Sequence, residues 1–140
     1  MLKLILLAAA IVGFTGCGDD DDETTADTNH SCSIAVDGLG KDIACISYTN
    51  LPSTSVTDAT TACTDSYAGD AGNTGTFSDS VVCATTNTLG TCTLSGDSLG
   101  GASAATITYY NIDSDFTATE AEAGCTGSSG GTWTAATALR

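Results

Sequence analysis

Apolar and polar positions divide this chain into three regimes. Leu4 to Val12 is almost unbroken apolar sequence. Thr24 to His30 contain no large apolar side chain. From Ser31 onward, short apolar stretches are separated by glycine, serine and aspartate. There the period switches between two, the mark of a half-buried strand, and three to four, the mark of a helix face. A strand is expected near Cys32 to Val36, turning through Asp37-Gly38-Leu39-Gly40, where glycine supplies backbone freedom. A second strand, Ile43 to Asn50, puts Ile46 and Tyr48 on one face and Cys45 and Ser47 on the other. Ser55 and Asp58 then have capping-box spacing, and Val56, Ala59 and Cys63 share one face of a short helix. A third strand carries Phe77.

The same order recurs. Cys32, Asp37, Leu39 and Gly40 return as Cys92, Asp97, Leu99 and Gly100. Ile46-x-Tyr48-x-Asn50 returns as Ile107-x-Tyr109-x-Asn111, and Ser55-x-x-Asp58 as Thr117-x-x-Glu120. Cys63-Thr64 returns as Cys125-Thr126, and Gly75-Thr76-Phe77-Ser78 as Gly131-Thr132-Trp133-Thr134. Matching Thr or Gly is weak evidence in such a chain; matching cysteines, tyrosines and asparagines in one order is not. Strands are therefore expected at Thr91 to Ser95, Ala104 to Asn111 and Gly131 to Ala136. A helix face of Ala118, Ala121 and Cys125 is expected between the last two. The fold class is α+β, a disulfide-stapled domain of two tandem β-β-α-β repeats, 31–83 and 84–140. Units of about 45–50 residues bury too little to stand without staples. The copies are expected to pack together, burying Ile46, Tyr48, Phe77, Ile107, Tyr109 and Trp133; the alternative is two beads on a string.

The apolar run near the start follows Met1-Leu2-Lys3 and is well short of the roughly 20 residues a membrane span needs. It leads into Phe14-Thr15-Gly16-Cys17. That order resembles a bacterial lipoprotein signal, although the first position of the lipobox is more often Leu than Phe. The resemblance implies removal of 1–16 as a signal peptide and lipidation of Cys17. The alternative is an ordinary secretory leader with Cys17 as a thiol. Gly18, rather than Asp, follows the cysteine. By the sorting rule of enteric bacteria this resembles an outer-membrane lipoprotein of the cell envelope. Residues 17–30 then form the lipidated cysteine and an acidic tether, since Asp19-Asp20-Asp21-Asp22-Glu23 self-repel and nothing nearby offsets the ordering entropy.

Charge narrows the partners. Without the leader, Lys41 and Arg140 stand against 17 acidic residues. A polyanion repels phosphate backbones, which excludes nucleic acid as a partner. The membrane contact is left to acyl chains, each methylene contributing about 0.8 kcal/mol.

Seven cysteines are an odd number for an exported protein. Lipidation of Cys17 leaves six, an even set for an oxidising compartment. Cys32, Cys63, Cys92 and Cys125 have counterparts in the other copy; Cys45 and Cys83 have none. If duplicated cysteines pair among themselves, Cys45 must pair with Cys83. The local choice, Cys32–Cys63 and Cys92–Cys125, pins each marginal helix to its own first strand. Each such bond closes a loop of roughly 30 residues, worth about 3–4 kcal/mol in the chain-entropy model.

The repeat resembles cysteine-rich segments ending in Gly-Gly-Thr-Trp, here Gly130-Gly131-Thr132-Trp133, found in secreted proteins and lipoproteins of Gram-negative bacteria. The first copy departs from that ending, with Phe77 in place of Trp. The resemblance implies export and disulfides, and no activity.

Little else points to chemistry. His30, the chain's only histidine, falls in the expected tether, away from any nucleophile. No C-x-x-C spacing exists for redox or zinc chemistry. No cofactor is implied. Asn111, Asp113, Asp115, Thr117, Thr119 and Glu122 fall in a calcium-loop register, but Phe116 occupies the position that needs glycine. A carboxylate pair of the glycosidase kind is open by residue type, with no constellation to single out. Tyr110, on the strand face opposite Tyr109, with exposed Ser and Thr, could form a sugar- or protein-binding patch. The expectation is a non-enzymatic, membrane-anchored lipoprotein of binding or structural role, its ligand a protein or polysaccharide of the envelope. The alternatives are a carboxylate-dependent hydrolase and a calcium-dependent binding module.

Overall fold

The computed structural model describes residues 30–36, 40–66, 72–95, 102, 104–112, 116–128 and 130–137. Strands β1 (His30–Val36) and β2 (Lys41–Thr49) form a hairpin, followed by helix α1 (Val56–Thr61) and strand β3 (Asn73–Ser78). Strands β4 (Thr88–Ser95) and β5 (Ala104–Tyr110), helix α2 (Ala118–Ala123) and strand β6 (Thr132–Ala135) follow in the same order. All six strands join one antiparallel sheet in the order β3-β1-β2-β5-β4-β6. The two halves thus meet edge to edge along β2 and β5, rather than face to face. No helix among the described residues is long and apolar enough to cross a membrane.

The cross-strand register explains the core. One row reads Phe77, Cys32, Ile46, Ile107, Cys92, Trp133 from edge to edge. It is flanked by Ile34, Ala44, Tyr109 and Gly90 on one side and by His30, Tyr48, Ala105 and Leu94 on the other. These residues alternate along their strands with Ser and Thr, so they all fall on one face. That face is the core, with the helix residues Cys63, Ala121 and Cys125 packed on it.

His30, expected in the tether, instead begins β1 opposite Tyr48 and is only 6% exposed. Its ring stacks on Phe77 with centroids 5.8 Å apart, and its Nδ1 lies 3.1 Å from an Asp79 carboxylate oxygen. In the other half Trp133 replaces Phe77, and Gly90 occupies the place corresponding to His30. A Cβ on Gly90 would come within 2.4 Å of the indole. One half fills this corner with a phenyl and an imidazole, the other with an indole alone.

Each helix has six residues, too few to hold alone in water. Each runs on into one wide π-type turn, Ala62–Ser66 or Gly124–Ser128, that carries its cysteine. Three disulfides are present. Cys32–Cys63 and Cys92–Cys125 tie these turns to the first strand of each half, and Cys45–Cys83 lies on the other face of the sheet. Gly75 and Gly131 let the chain pass these bridges. A Cβ at Gly75 would meet the Cys63 carbonyl, and one at Gly131 would come within 2.6 Å of the Cys92 sulfur.

Two helix expectations are corrected. Thr117 and Glu120 form the capping box, with the Thr117 amide donating to Glu120 Oε2 at 2.9 Å. Ser55 makes no such bond. A 3-10 turn, Ser53–Ser55, runs straight into α1 and leaves Ser55 in helical geometry, where its side chain cannot turn back on the first amides. Ala118 is exposed, because the buried side of α2 begins one turn later at Ala121.

Candidate functional site

The second face of the sheet carries alternate residues of every strand, among them Ser33, Ser47, Thr76, Thr91, Thr93, Thr106, Thr108, Thr132 and Thr134. No helix covers it. Instead the segment from Asp79 to Asn87 crosses it diagonally, because β3 ends beside Ser31 at one corner and β4 starts beside Tyr110 at the opposite one. The Cys45–Cys83 bridge fastens this crossover to the middle of the sheet, with Cα atoms 5.6 Å apart. The Ser47 hydroxyl donates to Cys83 Sγ at 3.1 Å. Cys45, Cys83 and Tyr110, with Ile112 beside them, make a small second core beneath it.

Where the crossover meets the far end of the sheet it leaves an open cleft of about 300 Å3. Lys41 and Asp42 from the start of β2, Tyr110 from the end of β5, Asn111 and Ile112 beyond it, and Ala84 and Asn87 from the crossover line it. Two hydrogen bonds fix its shape. The Tyr110 hydroxyl donates to the Ala84 carbonyl at 3.1 Å, and the Asn111 amide donates to the Asn87 carbonyl at 2.7 Å. Asn87 takes a left-handed backbone (φ 56°), a conformation asparagine tolerates better than most residues. Burial first, and the nearby Asp42 carboxylate second, push the Tyr110 phenol above its ordinary pKa.

The cleft is bordered by a lysine, an aspartate and two asparagines. Residues of these types can hold a polar ligand by hydrogen bonds. The Tyr110 phenol is committed to the Ala84 carbonyl.

Of the residues singled out from sequence, Cys17, Asp113 and Asp115 lie outside the described residues. Asn111 lines the cleft, while Glu122 is exposed on α2, on the helix side of the sheet. Phe116, at the turn position of the calcium register, packs its ring 6.0 Å from that of Tyr109. Among the described residues no three His, Cys, Asp or Glu side chains come together as a metal set. Tyr110 is buried under the crossover rather than presented on a surface patch. Lys41, Asp42 and Asn87 carry no local motif; only the long connection between β3 and β4, with Cys83 inside it, hinted that the second face would be covered. No protein-family model, curated protein or solved structure matches this chain.

Proposed function

We propose that this is a non-enzymatic lipoprotein of the bacterial cell envelope, held to the membrane through Cys17 and presenting the cleft as its binding surface. The observation that carries the reading is the cysteine ledger. Three bridges take up six of the seven cysteines and leave only the one in the lipobox-like Phe14-Thr15-Gly16-Cys17. Gly18 after that cysteine favours the outer membrane. The placement of the cleft fits an anchored role. The described chain enters at His30, at one end of β1, and Lys41 and Tyr110 lie at the other end of the sheet. Strands of seven to nine residues set these ends roughly 20–30 Å apart. An anchor at the first end points the cleft away from the bilayer, toward a protein or polysaccharide of the envelope. The acidic charge continues to exclude nucleic acid.

The domain itself we read as two copies of one unit. The support is the register: Ile46 faces Ile107, and about that pair Ala44, which faces Tyr109, matches Ala105, which faces Tyr48.

The test of the anchor is incorporation of labelled fatty acid in a bacterial host. Wild-type protein should take up the label and partition into detergent, and Cys17→Ala should abolish both. Equal incorporation by the two would overturn the assignment.

A further inference from the structure

The Cys45–Cys83 bridge differs from the other two in its surroundings. Cys32, Cys63, Cys92 and Cys125 belong to the main core, closed in between helix turn and sheet. All four are 0% exposed, so their sulfurs come within reach only if a helix turn leaves the sheet. Cys83 stands in the crossover and is the single buried residue between Asp79 and Asn87; the other eight are exposed. It is itself 8% exposed, and the stretch from Val81 to Thr85 has no regular structure. Besides the bridge, the Tyr110 hydroxyl holds the Ala84 carbonyl and the Asn111 amide holds the Asn87 carbonyl. A local opening of this stretch uncovers the bridge with both helices and all six strands in place. Each sulfur also has a hydroxyl donor. Ser47 Oγ donates to Cys83 Sγ at 3.1 Å, and Ser33 Oγ to Cys45 Sγ at 3.9 Å. A donor beside sulfur stabilises the thiolate, the form that leaves in exchange.

We propose that Cys45–Cys83 is a site of thiol–disulfide exchange with a protein dithiol, and that its oxidation state decides whether the cleft is formed. The bridge is the substrate of exchange, so no C-x-x-C pair is required of this chain. One thiolate of the partner attacks Cys83 Sγ, the sulfur on the exposed stretch. A mixed disulfide forms as the Cys45–Cys83 bond breaks, and the electron pair leaves on Cys45 Sγ beside the Ser33 hydroxyl. The partner's second thiolate then attacks its own bridged sulfur, and Cys83 leaves as a thiolate beside Ser47 Oγ. The partner ends as a disulfide, oxidised by two electrons; Cys45 and Cys83 end as thiols carrying the two protons the dithiol gave up. Val81 and Val82, exposed next to Cys83, give the incoming partner apolar side chains to rest on. Once the bridge is reduced, Ala84 and Asn87, which line the cleft, lose their fastening to the middle of the sheet. The exchange half stands without the anchor; the control of the cleft rests on the reading of that cleft as the binding surface.

The test uses the full-length oxidised protein in detergent, with any free thiol blocked beforehand by N-ethylmaleimide. Reduced thioredoxin is added under native conditions, the reaction is stopped in acid, and new thiols are labelled with iodoacetamide in denaturant. Mass mapping should find a species with two new labels, on Cys45 and Cys83, formed at least about tenfold faster than any label on the four helix-bridge cysteines, the difference between local and wider opening. Labels arriving on all six together, or first on a helix bridge, would overturn the site, as would a protein that thioredoxin leaves unlabelled. Tyr110→Phe removes the bond to the Ala84 carbonyl and touches neither sulfur. It should speed labelling of Cys45 and Cys83 by about 2- to 10-fold, the effect of one hydrogen bond on the opening, with the helix bridges at their wild-type rate. An unchanged rate would show that the crossover does not gate the bridge. In protein held with Cys45 and Cys83 reduced, the Asn111 amide should exchange faster with solvent while β1 stays protected. An Asn111 amide as protected as in the oxidised protein would overturn the control of the cleft and leave the exchange site standing.

Discussion

The corner residues of the sheet show how one shape is filled by different chemistry. Phe77 leans on His30 where Trp133 leans over Gly90, and one tyrosine ring in each corner, Tyr48 or Tyr109, closes it at 6.3 or 5.8 Å. The fit is between pairs, not single residues. Phe77→Trp alone should overpack the corner against His30 and cost about 1–3 kcal/mol of unfolding free energy. Combined with His30→Gly it should recover most of that loss. A double-mutant cycle by urea unfolding, disulfides intact, should return a coupling of about 0.5–3 kcal/mol; strict additivity would mean that the two rings do not share the space. The helix starts allow a second comparison. Thr117→Ala should cost about 1 kcal/mol, the usual loss of a capping side chain. Ser55→Ala should cost little, because its side chain caps nothing. Equal losses at the two sites would contradict the difference in cap geometry.

At the scale of elements, each marginal helix is a consequence of its bridge and each bridge of its glycine. The crossover is different, since it has no regular structure and is held by Cys45–Cys83, the Tyr110 hydroxyl and the Asn87–Asn111 bond. Replacing both Cys45 and Cys83 by alanine should leave the sheet folded. Amide exchange should accelerate from Asp79 to Asn87 and leave β1 and β5 protected. Loss of protection throughout would show that this bridge supports the whole fold. Much of the element order was readable from sequence, because strand alternation and helix spacing are local. The strand expected at Cys32–Val36 runs His30–Val36, and the one at Ile43–Asn50 runs Lys41–Thr49. What sequence hid was non-local. His30 reads as tether until Phe77 and Asp79 come back beside it from more than forty positions away. Ser55 has the spacing of a cap, but Pro52 starts the turn early. The cleft was illegible for the same reason, as its lining comes from β2, β5 and the crossover and carries no motif within any one of them.

At the scale of the molecule, the sheet separates two unlike sides. The helix side is acidic and stapled, and the open side carries the crossover, with the polar cleft at the end of the sheet remote from His30. Acylation at Cys17, the outcome of the labelling experiment, decides whether that polarity is mounted on a membrane. The central register has a further consequence. Antiparallel strands meeting at Ile46 and Ile107 with matched residues on either side are what two identical chains adopt about a two-fold axis. On the duplication proposed here, a half-length ancestor would have closed this same six-stranded sheet as a homodimer, each subunit lending its second strand to the other. Fusion would then have needed one new part, the connection from β3 to β4, which Cys45 and Cys83, the two bridged cysteines without counterparts, would fasten. The cleft uses this connection, so on that reading it would have become possible only when the symmetry of the dimer was broken.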